Sequence, residues 1–435
     1  MELRKQTKKL RGEKQYQYQT GITLIVLVIT IVVLLILAGV SINALFSDNG
    51  IIERAKDAQN KIDEAEKKDL EEINKLNNWL EENGGISNSG GEDNPPATTP
   101  KTSTLVGTTV TQNTKAEDAY GNKITIPKGF KILAHSENTT TGDVTYNYSE
   151  DHVPAVQDGI VIENEADGNQ FVWVPVGTIK NKDNTTNTIT LGRYSDFTMT
   201  NGAVASGQPV QLASVKNCTQ TVTINNRYQE LSIDRVGNSV KDLTAENATA
   251  RNLEEFISTT LANGGYYIAR FEASGTTSKI SSKYDQKVLV NITQPSAAKV
   301  AREMYGEVKE NNELVYASDL VNSYSWDTAI IFIQTYSGKT NYASYNESKT
   351  TGKFTATGKN ADKYCNIWDM SGNAEEWTTE YSTYSSGSGF GPCVYRGGYY
   401  YTDYGKALDC ASSRNDYPTT NGTSLCGLRP LLYIK

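Results

Sequence analysis

Histidine is nearly absent from the 435-residue chain, which contains only His135 and His152. A metal site with three histidine ligands therefore cannot be built within one chain. A Ser-His-Asp or Cys-His catalytic site would have to use one of these two residues, and both lie in polar, loop-like sequence typical of solvated surface. The shortage of histidine excludes most histidine-dependent catalysis.

Cysteine is sparse, and no CxxC spacing occurs, which argues against a zinc ribbon or a thioredoxin-type motif. Four of the five cysteines lie near the C-terminus, and this clustering predicts one or two disulfides if that domain is exported. Three pairings of the four are possible, and Cys218 is left over. The cysteines are Cys218, Cys365, Cys393, Cys410 and Cys426.

Basic residues form no long stripe beyond residue 14, and the net charge is −8. Proteins that bind nucleic acid usually carry a clustered basic face. We therefore predict no nucleic-acid partner.

One long hydrophobic run is present, from Gly21 to Ile42, without a single charge. From Ile22 it would form a helix of roughly 31 Å, enough to cross a bilayer. A buried core helix is the alternative, but such a helix is rarely apolar on every face. Residues 1–21 carry six basic and two acidic residues, so the leader should stay in the cytoplasm and the rest of the chain outside.

The fold class predicted from these patterns is α+β, with a long N-terminal transmembrane and stalk helix followed by a folded domain. Apolar residues at helical spacing continue after the span among Glu and Lys, which indicates an amphipathic stalk. A Gly-, Ser-, Pro- and Thr-rich linker then ends the helix. The predicted segments are a basic leader at 1–21, a transmembrane helix at 22–45, a stalk at 46–83, a linker at 84–104 and the domain at 105–435.

The basic leader, a glycine and "ITLIVLVITIVVLLILAGVSI" resemble the N-terminus of a type IV prepilin. The resemblance implies a bacterial cell membrane, a single span, cleavage by prepilin peptidase after Gly21 and methylation of Ile22. The family's glutamate at the fifth mature position is Val26 here, which puts filament assembly in doubt. A minor pilin or secretion-system pseudopilin is the alternative interpretation, and Val26 weighs against it.

Short apolar or alternating runs dominate the predicted domain. Strands are predicted at 171–177, 265–274 and 287–292, and helices that end at glycines are predicted at 250–265 and 325–338. Residues 178–250 are rich in Asn and Thr and are interpreted as an insertion or as decorated strands.

The last 70 residues contain "NIWDMSGNAEEWTTE", "VYRGGYYY", "CASSR" and "CGLRP" in that order. These motifs resemble the formylglycine-generating-enzyme-like domain, also called the sulfatase-modifying factor domain, which is a variant of the C-type lectin fold. "FVWVPVG", "YYIARFEAS" and "SWDTA" match weaker, earlier elements. The family's Arg-Leu-Pro-Thr-Glu segment is not recognisable between Gly338 and Asn360.

Oxidase members of that family use two cysteines shortly after the RGG element to bind copper. The corresponding positions here are about Thr402 and Ala407, and threonine cannot supply a thiolate for a soft metal. Related iron-dependent sulfoxide synthases need three histidines. We therefore predict no catalytic residue and no catalytic cofactor, with a formylglycine-generating-type oxidase as the less favoured alternative.

The same resemblance implies a structural Ca²⁺ site formed by Gly372, Ala374 and Glu376, because backbone carbonyl and carboxylate oxygens suit a hard cation. The alternative is that Asn373 and Glu376 only hydrogen-bond the loop. Arginines that serve as fold elements in this family could bind an anion, but burial with carboxylate or backbone partners is the favoured reading. These arginines are Arg396, Arg414 and Arg429.

Tyrosine is abundant, with 26 Tyr against 9 Phe, and it is concentrated near the C-terminus with Asp, Asn and Ser. This composition is typical of binding loops. Consecutive strand residues face opposite sides, so at least one of Tyr399 to Tyr401 should be exposed. The predicted ligand-binding residues are Tyr399, Tyr400, Tyr401, Asp403, Tyr404, Ser413, Asn415, Asp416, Tyr417 and Asn421.

These residues also resemble the variable patch of diversity-generating retroelement targets, which are C-type-lectin-fold proteins of this subfamily. Mutagenesis at template adenines in those systems yields Tyr, Asn, Asp and Ser. The resemblance implies a cell-surface adhesion protein whose extracellular partner is an unknown protein or glycan.

Overall fold

A computed structural model of the protein describes residues of the C-terminal part of the chain. The chain divides between Asn94 and Pro95 into two units, and every described residue lies in the second. The predicted leader, span and stalk, with Gly21, Ile22 and Val26, lie outside the described residues. Within the described ranges, no helix has the length and apolar character needed to cross a membrane. The described ranges are 99–133, 155–194, 197, 199–200, 203–204, 228–230, 250–310, 313–344, 353–382, 393–400, 410–417 and 423–435.

Three α-helices and many short strands make up the described part, which confirms a β-rich domain with helices. The α-helices are α1 (Leu253–Asn263), α2 (Gln294–Glu303) and α3 (Ser323–Tyr336), and single 3-10 turns occur at Thr102–Leu105, Val156–Asp158 and Tyr342–Ser344. The strands are β1 (Thr114–Glu117), β2 (Lys123–Ile126), β3 (Phe130–Ile132), β4 (Val161–Asn164), β5 (Gln170–Pro175), β6 (Gly177–Lys180), β7 (Thr186–Ile189), β8 (Met199–Thr200), β9 (Ala203–Val204), β10 (Tyr228–Glu230), β11 (Gly265–Ala269), β12 (Ser274–Thr276), β13 (Lys279–Ser281), β14 (Glu307–Glu310), β15 (Glu313–Leu320), β16 (Lys363–Tyr364), β17 (Ile367–Trp368), β18 (Glu375–Ser382), β19 (Cys393–Arg396), β20 (Arg414–Tyr417), β21 (Cys426–Leu428) and β22 (Pro430–Ile434).

Two sheets organise the described part. The larger is antiparallel, with strand order β14-β15-β22-β11-β5-β4-β3, so the C-terminal strand β22 lies inside it. The smaller has the order β10-β18-β19-β20, and β21 pairs in parallel with β18. Strands β18, β19, β20 and β21, which contain most of the C-terminal sequence motifs, therefore share the smaller sheet.

The larger sheet is buried on both faces. Along β5, Val172 and Val174 face a core shared with α1 and α3, whereas Phe171 and Trp173 face a second core shared with β1, β2 and β3. Adjacent residues of a strand point to opposite sides. Where helices cover one face of the sheet and a further layer covers the other, the residues on both faces must be apolar. This double burial explains why 171–177 is an unbroken apolar run.

The two predicted helices are confirmed, and their ends follow local chemistry. The Asn252 side chain caps α1 by accepting from the backbone N–H of Glu255, and Gly264 ends it in the left-handed region at φ 73°. Asn322 and Ser325 form a reciprocal capping box at the start of α3. The strands predicted at 171–177 and 265–274 are likewise present as β5 and β11.

The strand predicted at 287–292 is wrong. Val288 makes only an isolated bridge with Ser274, and Asn291 adopts φ 62°, which an extended strand does not allow. Val288 and Ile292 are nevertheless buried, so the apolar residues fill the core from irregular backbone. Directly afterwards comes α2, which the sequence reading missed, capped by Thr293.

The predicted disulfides are also wrong for the four C-terminal cysteines. Cys365, Cys393, Cys410 and Cys426 form no disulfide, and Cys218 lies outside the described residues. Cys393 faces Tyr381 across β19 and β18, while Cys426 pairs with Glu375 near the other end of β18. Strands β19 and β21 thus hold Cys393 and Cys426 at opposite ends of β18.

Candidate binding face

The Arg396-Gly397-Gly398 element ends β19 with a turn that only glycine fits. Gly397 has φ 91°, and a Cβ there would lie 3.1 Å from the Met370 carbonyl oxygen and 3.2 Å from the Trp326 ring. Its carbonyl oxygen accepts from the Gly372 N–H at 2.8 Å. The turn therefore joins β19 to the loop that precedes β18.

Beyond this turn, three aromatic side chains form what we call the tyrosine face: Phe354, Tyr399 and Tyr400. The Phe354 and Tyr400 ring centroids are 4.7 Å apart and those of Tyr399 and Tyr400 are 5.8 Å apart, both edge to face. All three side chains are half-buried. Tyr399 and Tyr400 follow β19 rather than continue it, so turn geometry and not strand alternation sets their directions.

The other predicted ligand-binding residues fall into three groups. On β20, Asn415 is half-buried and Tyr417 is 37 % exposed. Ser413 and Asp416 are 4 % and 1 % exposed, so they lie beneath the surface and are not offered as ligand contacts. Tyr401, Asp403, Tyr404 and Asn421 lie outside the described residues.

A buried ion network fixes the two strands that flank the tyrosine face. In this Asp327–Glu380 network, Asp327 of α3 accepts from Arg396 at 2.6 Å and from Arg414. Glu380 of β18 accepts from Arg193, from the Arg414 Nε at 3.0 Å and from Arg396 at 3.5 Å. Because the network joins α3, β18, β19 and β20, it holds the bases of the tyrosine-rich segments in place.

The network confirms that Arg396 and Arg414 are buried with carboxylate partners. Burial raises the pKa of Glu380, but the attraction of the three guanidinium groups outweighs it and lowers the pKa to about 2. The sequence reading missed Arg193 and the two carboxylates, because residues far apart in the chain supply them. The weak family match "SWDTA", which contains Asp327, was the one sequence feature that indicated this carboxylate.

A second cluster surrounds Arg429, which is also fully buried. The Arg429 guanidinium donates to both oxygens of Glu376, at 2.6 and 2.9 Å, and to the carbonyl oxygens of Ala269 and Trp368. Buried Glu272, Asp362 and Asp369 complete what we call the Arg429 cluster. This arrangement confirms the expectation of a carboxylate partner for the third arginine.

The bidentate pair bears on the predicted calcium site. Of the predicted ligands Gly372, Ala374 and Glu376, the Glu376 carboxylate already accepts from Arg429 with both oxygens, and the Ala374 N–H points at Glu272. Within the described ranges, no three or more His, Cys, Asp or Glu residues are arranged to hold a metal ion. Calcium binding stays a prediction, and the geometry weighs against it at Glu376.

Asn373 connects the Arg429 cluster to the tyrosine face. Its side-chain amide donates to Glu272, its side-chain oxygen accepts from the Thr355 N–H at 2.9 Å, and its backbone carbonyl accepts from the Tyr400 N–H at 3.1 Å. Asn373 adopts φ 60°, a region that asparagine tolerates better than most residues. An asparagine in the left-handed region thus links buried carboxylates to half-buried aromatics, and no sequence motif indicated that link.

Burial raises the pKa of the carboxyl groups in this cluster. The pKa of Asp362 is raised to about 8 and that of Asp369 to about 6, and the pKa of Glu272 is raised as well, with desolvation the largest cause for all three. Neighbouring carboxylates add to the effect for Asp362 and Glu272. The cluster therefore holds protons at pH values where exposed carboxyl groups are ionised.

Thiol chemistry has little support in the described part of the chain. Burial raises the pKa of the Cys365, Cys393 and Cys426 thiols, so these groups stay protonated and poorly nucleophilic. Thr402 and Ala407, at the positions of the oxidase cysteine pair, lie outside the described residues. The described thiols thus offer no activated pair.

Solved structures and a family model show similarity to this chain. No curated protein matches the chain. Among solved structures, the chain is similar to the structure titled "Crystal Structure of CarF", with 17% identity, a TM-score of 0.29 and coverage of 39% of this chain and 87% of that one. It is also similar to Treponema denticola variable protein 1, with 14% identity, a TM-score of 0.22 and coverage of 61% and 95%.

The family model carries the assignment. Residues 158–431, more than half of the chain, match the sulfatase-modifying factor enzyme 1-like domain, FGE-sulfatase. The match contains α1 to α3, the RGG turn and both ion networks. The family includes non-catalytic members. The chain therefore belongs to the sulfatase-modifying factor enzyme 1-like domain family.

Proposed function

We propose that the protein is a membrane-anchored, non-catalytic receptor that binds an extracellular ligand through the tyrosine face. The observation that carries the proposal is the set of half-exposed rings of Phe354, Tyr399 and Tyr400, held at the end of β19 by the Tyr400–Asn373 backbone bond. Tyrosine provides a large, stiff contact area at low entropic cost. The absence of cysteine at Thr402 and Ala407 argues against oxidase chemistry.

The anchor is part of the proposal. The uncharged run from Gly21 to Ile42 and the basic leader support a single span, prepilin-type processing after Gly21 and display of the domain outside a bacterial cell. A linker at 84–104 would hold the binding domain away from the membrane.

Replacing Tyr399, Tyr400, Tyr401 and Tyr404 together by Ser should abolish ligand binding and leave the fold intact. The described rings are half-buried and contact one another, so their loss removes contact area for a partner. The measurement is binding of the purified full chain to a printed array of oligosaccharides and extracellular proteins, with circular dichroism as the fold check.

Tyr120→Ser, at a half-buried tyrosine between β1 and β2, is the matched control and should bind as the original chain does. On intact cells, deletion of 22–45 should remove the domain from the surface. If the variant with four replacements still binds the array, the tyrosine face is not the binding site. If the original chain binds nothing on the array, the proposed receptor function is wrong.

We also propose that the C-terminal patch is diversified by a retroelement. Sequencing the locus in related strains should then find substitutions concentrated at Tyr399, Tyr400 and Tyr417. Arg396 and Gly397 should be unchanged, because loss of the Arg396 charge disrupts the ion network and a Cβ at position 397 disrupts the turn. A neighbouring reverse transcriptase with a near-copy of the codons for 394–435 should accompany them. Evenly spread substitutions without such a copy would contradict diversification.

A further inference from the structure

A polar cleft lies on a different part of the domain, formed by the turn between β4 and β5, the β12–β13 hairpin and the end of α2. Its volume is about 510 Å³, within the range typical of small-molecule sites. Charged, hydroxyl and apolar side chains all line it, among them Asp167, Lys279, Lys283, Ser281 and Met304.

One wall of the cleft is held in place by hydrogen bonds. The Asp167 carboxylate accepts from the Asn169 N–H at 3.0 Å and from the Tyr305 hydroxyl at 3.1 Å. The Asn169 side-chain oxygen accepts from the Ser282 N–H at 2.8 Å, which ties this turn to the chain after β13. The cleft is therefore preformed, so a ligand would not have to order it.

Two lysines supply positive charge to the cleft. Lys279 is exposed and Lys283 is half-buried, and neither forms a salt bridge with a carboxylate in the part of the chain that the structure describes. Glu303 on α2 also lines the cleft, and its carboxylate lies 4.0 Å from the Lys299 ammonium group. Two ammonium groups without carboxylate partners at one cleft favour an anionic ligand.

The remaining lining indicates which kind of anion fits. Ser278 and Ser281 add hydroxyl groups, and Asp167 adds an acceptor, all suited to a ligand rich in hydroxyls. Ile280, Val300 and Met304 provide an apolar surface for the C–H face of a ring. We propose that this cleft binds an acidic sugar, with Lys279 and Lys283 holding its carboxylate.

Isothermal titration of the full chain with D-glucuronate tests the proposal, with D-glucose, acetate and inorganic phosphate as comparison ligands. Glucuronate should bind at least about tenfold more tightly than the other three, because only it carries both the carboxylate and the ring hydroxyls. Binding should also weaken as NaCl is raised.

The double variant Lys279→Gln, Lys283→Gln should lose glucuronate binding about tenfold or more, whereas Lys287→Gln, an exposed lysine outside the lining, should bind normally. The inference is independent of the tyrosine face, so the chain with four Tyr→Ser replacements should also bind glucuronate normally. Equal affinity for acetate or phosphate, or equal binding by the double variant, would overturn the assignment.

Discussion

Replacing Glu380 by Gln should lower the free energy of unfolding by about 3–5 kcal/mol. Glu380 is fully buried and accepts from Arg193, Arg396 and Arg414. Without its charge, the ion pair between Arg193 and Glu380 is lost, and Arg396 and Arg414 keep Asp327 as their carboxylate partner. The destabilisation comes from this loss of charge pairing rather than from lost packing, because glutamine has nearly the same volume. Urea-induced unfolding of the full chain, followed by tryptophan fluorescence, measures the change.

The matched control is Glu165→Gln, which removes a carboxylate 2.7 Å from Lys131 at a site where the Glu165 side chain is 56 % exposed. A solvent-exposed pair of this kind contributes little to stability, because water and salt screen it. If the two variants lose the same amount of stability, the network does not hold the smaller sheet together in the way described above.

The second large effect is a loss of stability as the pH rises from 5 to 8.5. The pKa values of Asp362, Asp369 and Glu272 are raised in the folded domain, so the folded state binds more protons than the unfolded state over this interval. Stability from these groups is fully present below their unfolded pKa values and is lost as the pH rises through about 6 and 8. The expected loss is on the order of 4 kcal/mol, because the folded pKa of Asp362 lies roughly three units above pH 5 and each unit corresponds to about 1.4 kcal/mol. Urea-induced unfolding at a series of pH values measures it.

Glu380 acts in the opposite direction and at a lower pH. Its folded pKa of about 2 lies below its unfolded value, so its contribution is present above about pH 4.5 and is lost as the pH falls through 2. The two effects together predict maximum stability near pH 5.

Asp362→Asn separates the buried cluster from other causes of pH dependence. The asparagine mimics the protonated acid and can still accept from the Ser371 N–H, which bonds Asp362 at 2.7 Å. The variant should match the original chain at pH 5 and exceed its stability at pH 8.5. Asp158→Asn, at an exposed pair with Lys182, should leave the pH profile unchanged. An original chain more stable at pH 8.5 than at pH 5 would contradict the account.

Much of the fold follows from local pattern. The helices α1 and α3 follow from their caps and their terminal glycines, and β5 and β11 follow from apolar runs that both sides of a sheet must bury. A strand was wrongly predicted at 287–292 because an apolar run indicates burial but not conformation. Its apolar residues reach the core from irregular backbone. The helix α2 was missed because its buried apolar face consists of alanines and the single larger residue Val300, so it contains no long apolar run.

The candidate site was less accessible to the sequence. Tyrosine enrichment and the RGG landmark identified Tyr399 and Tyr400, but Phe354 lies 45 residues upstream of Tyr399 and carries no motif. The burial of Ser413 and Asp416 was not predicted either, because residue composition does not show which side chain faces inward.

The sequence by itself determined the family motifs, the scarcity of histidine, the missing cysteine pair and the uncharged N-terminal run. It could do so because composition and spacing fix which side chains exist. Only the tertiary structure decided which charges meet: Arg193, Asp327, Glu380 and Arg414 come together because α3, β18 and β20 pack side by side. It also decided that Glu376 bonds Arg429 and that Asn373 joins buried carboxylates to Tyr400. Such contacts depend on non-local packing, where burial and distance set both partner and pKa, and no local pattern records them.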